Sequence, residues 1–248
     1  MDALADRLQD MAGRELAPVE VAVLDSGVDA THPDLAGRIA KAVVVEEKDG
    51  EANARDVELG VNNDAFGHGT AVASIIARMA PNAKIFDVRV LGEGNKGGGA
   101  ALVEGLRVAV MDNRRVINMS LAATAKVAQS VFRLCEMAYR KNLLVVAAKR
   151  NVPFGDLGFP AEFSSTISVD NRSFPSPFEI NYILDSVIEF AAHGEEVPVA
   201  AAGGGYTTMT GTSFATPTVS GLCALLVGAY PELRPFEVKA LLKGFAVD

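Results

Sequence analysis

An aspartate, a histidine and a serine each stand in a short motif rich in small residues. Asp25 lies in Val-Ala-Val-Leu-Asp-Ser-Gly at 21–27, His68 in Gly-His-Gly-Thr at 67–70, and Ser213 in Gly-Thr-Ser-Phe-Ala-Thr-Pro at 211–217. A serine hydroxyl is a poor nucleophile until a neighbouring base takes its proton. We therefore predict Ser213 as nucleophile and His68 as its base. Asp25 is predicted to orient the imidazole and to stabilise its protonated form.

The order Asp, His, Ser along the chain distinguishes between unrelated proteins that share this chemistry. From about Val19 to the C-terminus, the motifs resemble those of the subtilisin-like (subtilase) serine proteases. The resemblance implies hydrolysis of peptide bonds by a three-layer αβα sandwich with a mostly parallel central sheet. It also implies an oxyanion donor, because the family's asparagine aligns without a gap with Asn151 at the end of Val145–Asn151. The alternative is that Asn151 only forms a turn before Pro153.

The resemblance also suggests how a substrate is held. Two segments are expected to bind the backbone of an extended peptide by β-augmentation, which makes modest demands on its sequence. The expected contact residues are Asn95, Lys96 and Gly97 on one edge and Ser120, Leu121 and Ala122 on the other.

Four residues depart from the family pattern in the walls expected around the P1 side chain, the one on the acyl side of the cleaved bond. Lys149 and Arg150 stand where relatives carry Ala-Gly, and Ala122 and Ala123 stand where relatives often carry Gly-Gly. The added methyl groups predict exclusion of large aromatic P1 residues. A cation that faces the pocket predicts a preference for acidic P1 residues. The alternative is that both cations project into solvent.

Apolar runs rich in β-branched residues alternate with helical patterns. This alternation predicts right-handed βαβ units and a parallel sheet covered on both faces, with the site at the carboxyl ends of the strands. The predicted strands are 19–24, 84–90, 115–120, 143–148, 166–169 and 186–190. The predicted helices are 1–17, 68–79, 100–111, 126–141, 213–229 and 235–243. Residues 41–64 are polar and acidic, which is typical of surface loop or edge structure.

The chain has 248 residues without a repeat or linker, so we predict a single domain over 1–248. Residues 1–18 are predicted to be a helical lead-in, shorter than the usual propeptide of the family, and we expect folding without a covalent propeptide. The helix after His68 runs through Pro81 directly into the next strand, so the calcium-binding loop of secreted relatives is not expected. We predict no metal site and no cofactor.

The formal net charge of −8 argues against nucleic acid or an anionic membrane as the main partner. We found no apolar run of transmembrane length and no signal peptide in the acidic N-terminal segment, which predicts a cytoplasmic protein. Secretion stays open if a leader was removed. Cys135 and Cys223 are predicted to be buried free thiols.

Two functions follow from these observations. The first is a serine endopeptidase, acting on a protein or peptide substrate by limited processing, with a possible dedicated partner protein. The second is a catalytically weak or inactive scaffold with a subtilase fold. The intact set of Asp25, His68, Ser213 and Asn151 favours the first. The unusual pair at 149–150 and the short lead-in favour the second.

Overall fold

The computed structural model describes residues 2–151 and 158–247, with side chains from residue 6 onward. The helices are α1 (Asp2–Ala12), α2 (His68–Met79), α3 (Gly99–Met111), α4 (Ala128–Arg140), α5 (Thr212–Ala229) and α6 (Pro235–Phe245). The first six strands are β1 (Val19–Asp25), β2 (Ile39–Lys48), β3 (Glu51–Asp56), β4 (Ala83–Arg89), β5 (Val116–Met119) and β6 (Leu144–Ala148). The remaining strands are β7 (Ile167–Arg172), β8 (Ile180–Tyr182), β9 (Phe190–His193), β10 (Val197–Ala200) and β11 (Tyr206–Met209).

Nine strands form one sheet in the order β3-β2-β4-β1-β5-β6-β7-β9-β8. The seven inner strands pair in parallel, and only the two edge strands, β3 and β8, pair antiparallel to their neighbours. Strands β10 and β11 form a separate antiparallel hairpin. The predicted three-layer sandwich with a mostly parallel sheet is confirmed.

Alternating side chains of β1 divide the core into two parts. Ala22 and Leu24 pack with residues of α3 and α4 on one face of the sheet. Val21 and Val23 pack with residues of α2 and α5 on the other. Successive strand side chains point to opposite faces, so Asp25 shares the face of Val21 and Val23. The carboxylate is thereby directed toward the two helices that carry His68 and Ser213.

Several segments differ from the sequence prediction, among them strand β8, which was not predicted. Residues 41–64, expected as surface loop or edge structure, contain the antiparallel pair β2–β3, and the centre of β2 (42–45) is buried. The strand predicted at 186–190 is wrong, since β9 begins only at Phe190. There the Ser186 hydroxyl accepts a hydrogen bond from the backbone N–H of Ile188, a local turn that competes with strand pairing. The hairpin β10–β11 was not predicted.

Both cysteines and most of helix α5 are buried. Cys135 and Cys223 are buried free thiols, as predicted, and burial raises the pKa of each to about 12. Helix α5 has the length and apolar composition of a membrane span, but 89% of it is buried inside the protein. Its apolar character is therefore accounted for by its position in the core.

Candidate active site

Asp25 and His68 form a buried, hydrogen-bonded pair. His68 Nδ1 lies 2.7 Å from Asp25 Oδ1 and donates to it, because a carboxylate can only accept. The backbone N–H of Ser26 donates to the same oxygen at 2.8 Å. Asp25 is fully buried and His68 is 9% exposed. The donor role of Nδ1 leaves Nε2 of a neutral imidazole as the proton acceptor.

Glycines on either side of His68 let the chain approach Asp25 closely. Gly67 precedes α2 with φ of 105°, a conformation that residues with a side chain rarely adopt. At Gly69, a Cβ atom would lie 2.1 Å from the carbonyl oxygen of Gly27 and 3.1 Å from Cβ of Asp25. Helix α2 can therefore begin against the end of β1 only with glycine at this position.

A second carboxylate, which the sequence prediction missed, holds the loop before His68. Asp64 Oδ1 accepts from the Ser26 hydroxyl (2.7 Å) and from the backbone N–H groups of Phe66 (2.9 Å) and Gly67 (2.7 Å). Its Oδ2 accepts from the backbone N–H of Thr70 at 2.8 Å and from the Thr70 hydroxyl. Asp64 therefore caps α2 and ties it to the segment after β1. An acidic residue just before a predicted helix start is the signal that could have identified it.

These carboxylates set the proton affinity of His68. Burial alone lowers the pKa of the imidazole, but the charge and hydrogen bond of Asp25 raise it, and the charge of Asp64 adds in the same direction. The net result is a pKa above the ordinary value of 6.5. Such a base becomes neutral, and able to accept a proton, only at a correspondingly higher pH.

Ser213 is the second residue of α5, so its backbone N–H is among the first four that have no acceptor within the helix. Its hydroxyl donates to the carbonyl oxygen of Ser120 at 3.1 Å. Within residues 2–151 and 158–247, no hydrogen bond joins Ser213 to His68. The two helices nevertheless meet here, where the rings of His68 and Phe214 lie 5.4 Å apart.

A chain of buried polar groups fixes the start of α5 against the end of β5. The Ser120 hydroxyl donates to the carbonyl oxygen of Ser213 at 2.8 Å and accepts from the Asn118 amide at 3.1 Å. The other end of that amide, Oδ1, accepts from the Ser220 hydroxyl at 2.8 Å. The sequence prediction did not include Asn118 or Ser220. Their signal is a polar residue inside an apolar run, which requires a buried partner.

Asn151 lies beside the start of α5, as its predicted role requires. Its Oδ1 accepts from the Thr212 hydroxyl at 3.0 Å, and the same hydroxyl lies 2.7 Å from the carbonyl oxygen of Lys149. The amide nitrogen of Asn151 lies 3.4 Å from where a Cβ of Gly211 would be. Glycine at 211 therefore leaves room for the amide next to the nucleophile segment.

One cavity of about 220 Å³ brings most of the predicted substrate-binding residues together. Its lining comprises Ser120, Leu121, Ala122, Ala148, Lys149, Arg150, Asn151, Thr212 and Ser213. The other four predicted substrate-binding residues do not line this cavity. Ala123 is buried, with its N–H donating to the Phe159 carbonyl at 2.7 Å. Asn95, Lys96 and Gly97 form an exposed or half-buried turn in which the Gly92 N–H donates to the Lys96 carbonyl at 2.8 Å.

The side chains of Lys149 and Arg150 point in different directions. Both contact protein groups, and neither projects into solvent as the alternative prediction had it. Lys149 Nζ pairs with Asp170 on β7 at 2.6 Å, and both side chains are about three-quarters buried. Arg150 reaches toward the facing segment, where its Nη2 donates at 2.8 Å to the carbonyl of Ala123, the residue directly after the lining residues 120–122. Arg150, and not Lys149, is therefore the cation that contacts the segment facing it across the cavity.

A second cavity of about 320 Å³ lies beside His68. Its lining comprises Phe66, Gly67, His68, Ala71, Ala200, Ala201, Ala202, Thr207 and Met209. The hairpin β10–β11 supplies much of this wall and is fastened through its tip. Asp29 Oδ2 accepts from the Gly203 N–H at 2.8 Å, and the buried His32 donates through Nε2 to the Gly205 carbonyl at 2.9 Å.

The described residues contain no group of three or more His, Cys, Asp and Glu side chains arranged to hold a metal ion. The absence of a metal requirement stays a prediction.

Asp87, on β4 beside β1, is a buried carboxyl that the sequence prediction missed. Burial raises its pKa well above the ordinary value, which favours the neutral form.

Comparisons with known proteins agree with this geometry. The sequence model of the subtilase family, peptidase S8, matches residues 17–247. Subtilisin DY of Bacillus licheniformis is 30% identical over 260 residues, which cover 98% of this chain and 89% of that protein. Alkaline elastase YaB of Bacillus sp. (strain YaB) is 31% identical over 245 residues. That match covers 93% of this chain but only 60% of the relative, as for several other subtilisins.

Solved structures show the same fold. Sphericase superposes with a TM-score of 0.77 at 24% identity, covering 96% of this chain and 88% of that one. The S41 psychrophilic protease superposes with a TM-score of 0.76 at 26% identity, covering 92% of this chain and 82% of that one.

Proposed function

The chain belongs to the subtilase family, and on that premise we propose that it is a serine endopeptidase in which Asp25, His68 and Ser213 act together. The observation that carries the proposal is the buried pair of Asp25 and His68, with Nδ1–H bound to the carboxylate at 2.7 Å. This pair leaves Nε2 as a base next to the helix start that bears Ser213. Such an arrangement serves acyl transfer better than ligand binding alone.

In the proposed reaction, the Ser213 hydroxyl turns from the Ser120 carbonyl toward His68. Its oxygen attacks the peptide carbonyl carbon while its proton passes to His68 Nε2. The imidazolium formed is stabilised by Asp25. When the tetrahedral intermediate collapses, His68 donates that proton to the leaving amine, and an acyl group remains on Ser213. Water then attacks this ester with His68 again as the base, releasing the acid and restoring the hydroxyl.

The proposed oxyanion donors are the backbone N–H of Ser213 and the side-chain amide of Asn151. The N–H belongs to the first turn of α5, where unpaired donors and the helix dipole favour negative charge. Thr212 holds the oxygen end of the Asn151 amide, which fixes the direction of its nitrogen. Removing one such donor from a site of this kind costs about 10²–10³ in kcat.

Cavities on both sides of the catalytic residues support cleavage within a chain. The cavity beside Ser213 and Asn151 would hold the acyl side of the bond, and the cavity beside His68 would hold the side that leaves with the amine. We propose limited processing of one protein or peptide, since the pocket beside Ser213 is small and bridged by Arg150. A dedicated partner protein would then be the substrate.

The competing function is a scaffold with little activity, and a fluorophosphonate probe distinguishes the two. A peptidase is labelled at Ser213 and cleaves an unrelated unfolded protein. The matched controls Ser213→Ala and His68→Ala should both lose labelling and cleavage. The melting temperature of Ser213→Ala should stay near that of wild type, whereas His68→Ala should melt lower because the buried Asp25 loses its partner. The double variant should be little worse than either single variant, because the residues act as a unit. An unlabelled wild type, or cleavage by Ser213→Ala, would refute the assignment.

A further inference from the structure

We infer that Arg150 closes the cavity beside Ser213 and limits it to P1 residues with short side chains. This inference rests on the proposed peptidase function, because it assigns that cavity to the P1 residue. Arg150 is one of the residues that line this cavity.

Arg150 joins the two walls of the cavity. It follows β6, on the wall that also contains Asn151, and its Nη2 donates at 2.8 Å to the carbonyl oxygen of Ala123, the residue directly after the facing wall segment 120–122. Ala123 is itself fixed, since its N–H donates to the Phe159 carbonyl at 2.7 Å. The Arg150 guanidinium therefore connects the segment after β6 with the segment that contains Ala123, which is itself held in place.

The same region is crowded by its neighbours. At Gly158, a Cβ atom would lie 2.8 Å from Cβ of Ala122, 3.1 Å from Cβ of Arg150 and 3.4 Å from its Nε. The two walls thus converge at Gly158, with Ala122 on one side and Arg150 on the other. Ala122 and Arg150 both line the cavity. A P1 side chain that reaches the point where they approach each other would have to displace the arginine or open the walls if it carried a large aromatic ring, and a tightly packed site resists both.

Lys149 provides a matched control. It adjoins Arg150 and carries the same charge, but its ammonium group is held by Asp170 on β7 at 2.6 Å. Both residues line the cavity, but the end of the Lys149 side chain is directed toward β7, so removing the side chain at 149 should change the size of the cavity much less than removing it at 150. A simple effect of net charge would appear equally in both variants.

The test compares peptides that differ only in having Ala or Phe at P1. In wild type, kcat/KM for the Ala peptide should exceed that for the Phe peptide by about 10-fold or more, the discrimination typical of a pocket that is too small. In Arg150→Gly the ratio should fall at least 10-fold, and in Lys149→Ala it should change much less. Ala122→Gly, which removes the methyl group opposite, should lower the ratio in part. This second route keeps the test valid if Arg150→Gly melts too low to assay.

A binding measurement separates this inference from the proposed function. Ser213→Ala with and without Arg150→Gly is titrated with product-like peptides that end in a free Ala or Phe carboxylate. If Ser213 is not the nucleophile, the fluorophosphonate result shows it, whereas the binding ratio still reports the size of the cavity. Tighter binding of the Ala peptide, lost with Arg150→Gly, supports the inference. A wild-type preference for Phe, or a ratio unaffected by Arg150→Gly and Ala122→Gly, overturns it.

Discussion

Replacing Asp64 with asparagine tests whether this carboxylate tunes the base as well as holding its loop. The substitution keeps the size of the side chain and an oxygen that can accept from Phe66 and Gly67. It removes the negative charge and places an NH₂ group opposite the backbone N–H of Thr70, which now donates to Oδ2 at 2.8 Å. The alanine variant removes every acceptor at this position.

The stability loss can be estimated from the groups left without partners. Thr70 is fully buried, and an unsatisfied buried N–H costs about 1–3 kcal/mol. Phe66 is exposed, so water replaces the carboxylate at its N–H. We expect a loss of about 1–2 kcal/mol for Asp64→Asn and about 2–4 kcal/mol for Asp64→Ala, since the second also removes a helix cap. In a domain of this size, each kcal/mol lowers the melting temperature by about 2–4 °C.

The charge effect appears separately, in the pH profile. The negative charge of Asp64 raises the pKa of His68, so its removal lowers that pKa. Because only neutral His68 accepts the serine proton, the acid limb of kcat/KM should move to lower pH. Both variants should show this shift, whatever their stability.

The assay is kcat/KM against pH for a fixed peptide, with melting temperatures from calorimetry. Asp56→Asn is the control, since it removes the same charge from the edge strand β3, where the side chain is 79% exposed. It should leave the acid limb in place. An acid limb that stays fixed in Asp64→Asn while the melting temperature falls would reduce Asp64 to a purely structural role. A limb that moves to higher pH would show that the sign of the argument is wrong.

Three further predictions follow from the site. Gly69→Ala should lower the melting temperature and kcat/KM together, because its methyl group would lie 2.1 Å from the Gly27 carbonyl; wild-type values would contradict this close approach. Addition of EDTA should leave the melting temperature unchanged, and a fall of several degrees would reveal a metal site. A peptide with Asp at P1 should be cleaved up to about 5-fold better than one with Asn, since a partly exposed charge contributes about 0–1 kcal/mol. Arg150→Gln should remove that difference, and its persistence would assign the effect to another group.

The sequence was sufficient to predict most of the framework because its signals are local. The apolar run of β1 ends at Asp25, and the glycines around His68 mark a close turn into α2. The motif around Ser213 stands at the start of a long apolar helix. Burial patterns and steric requirements of this kind are encoded over a few neighbouring residues.

What the sequence could not predict depends on partners distant along the chain. Asp64 lies in a polar stretch with several other carboxylates. Its place before α2 is a local signal for a cap, but its hydrogen bond to Ser26 depends on a segment 38 residues away along the chain. Lys149 and Arg150 are adjacent cations with equivalent sequence signals. Their opposite directions are set by Asp170 on one strand and by the Ala123 carbonyl on another segment. Long side chains take the direction of their tertiary partners, which no local pattern reveals.

The nucleophile stands at the start of α5, a long helix that is almost entirely buried. Every residue from Phe214 to Gly228 is buried, and the helix packs on several strands of the central sheet as well as on α2. Amide hydrogens in such an element exchange with solvent only when the whole domain opens. The body of α5, beyond the unpaired N–H groups of its first turn, should therefore be among the last segments to exchange deuterium in the native state. Loss of probe labelling on heating should coincide with cooperative unfolding, with no earlier loosening of the site.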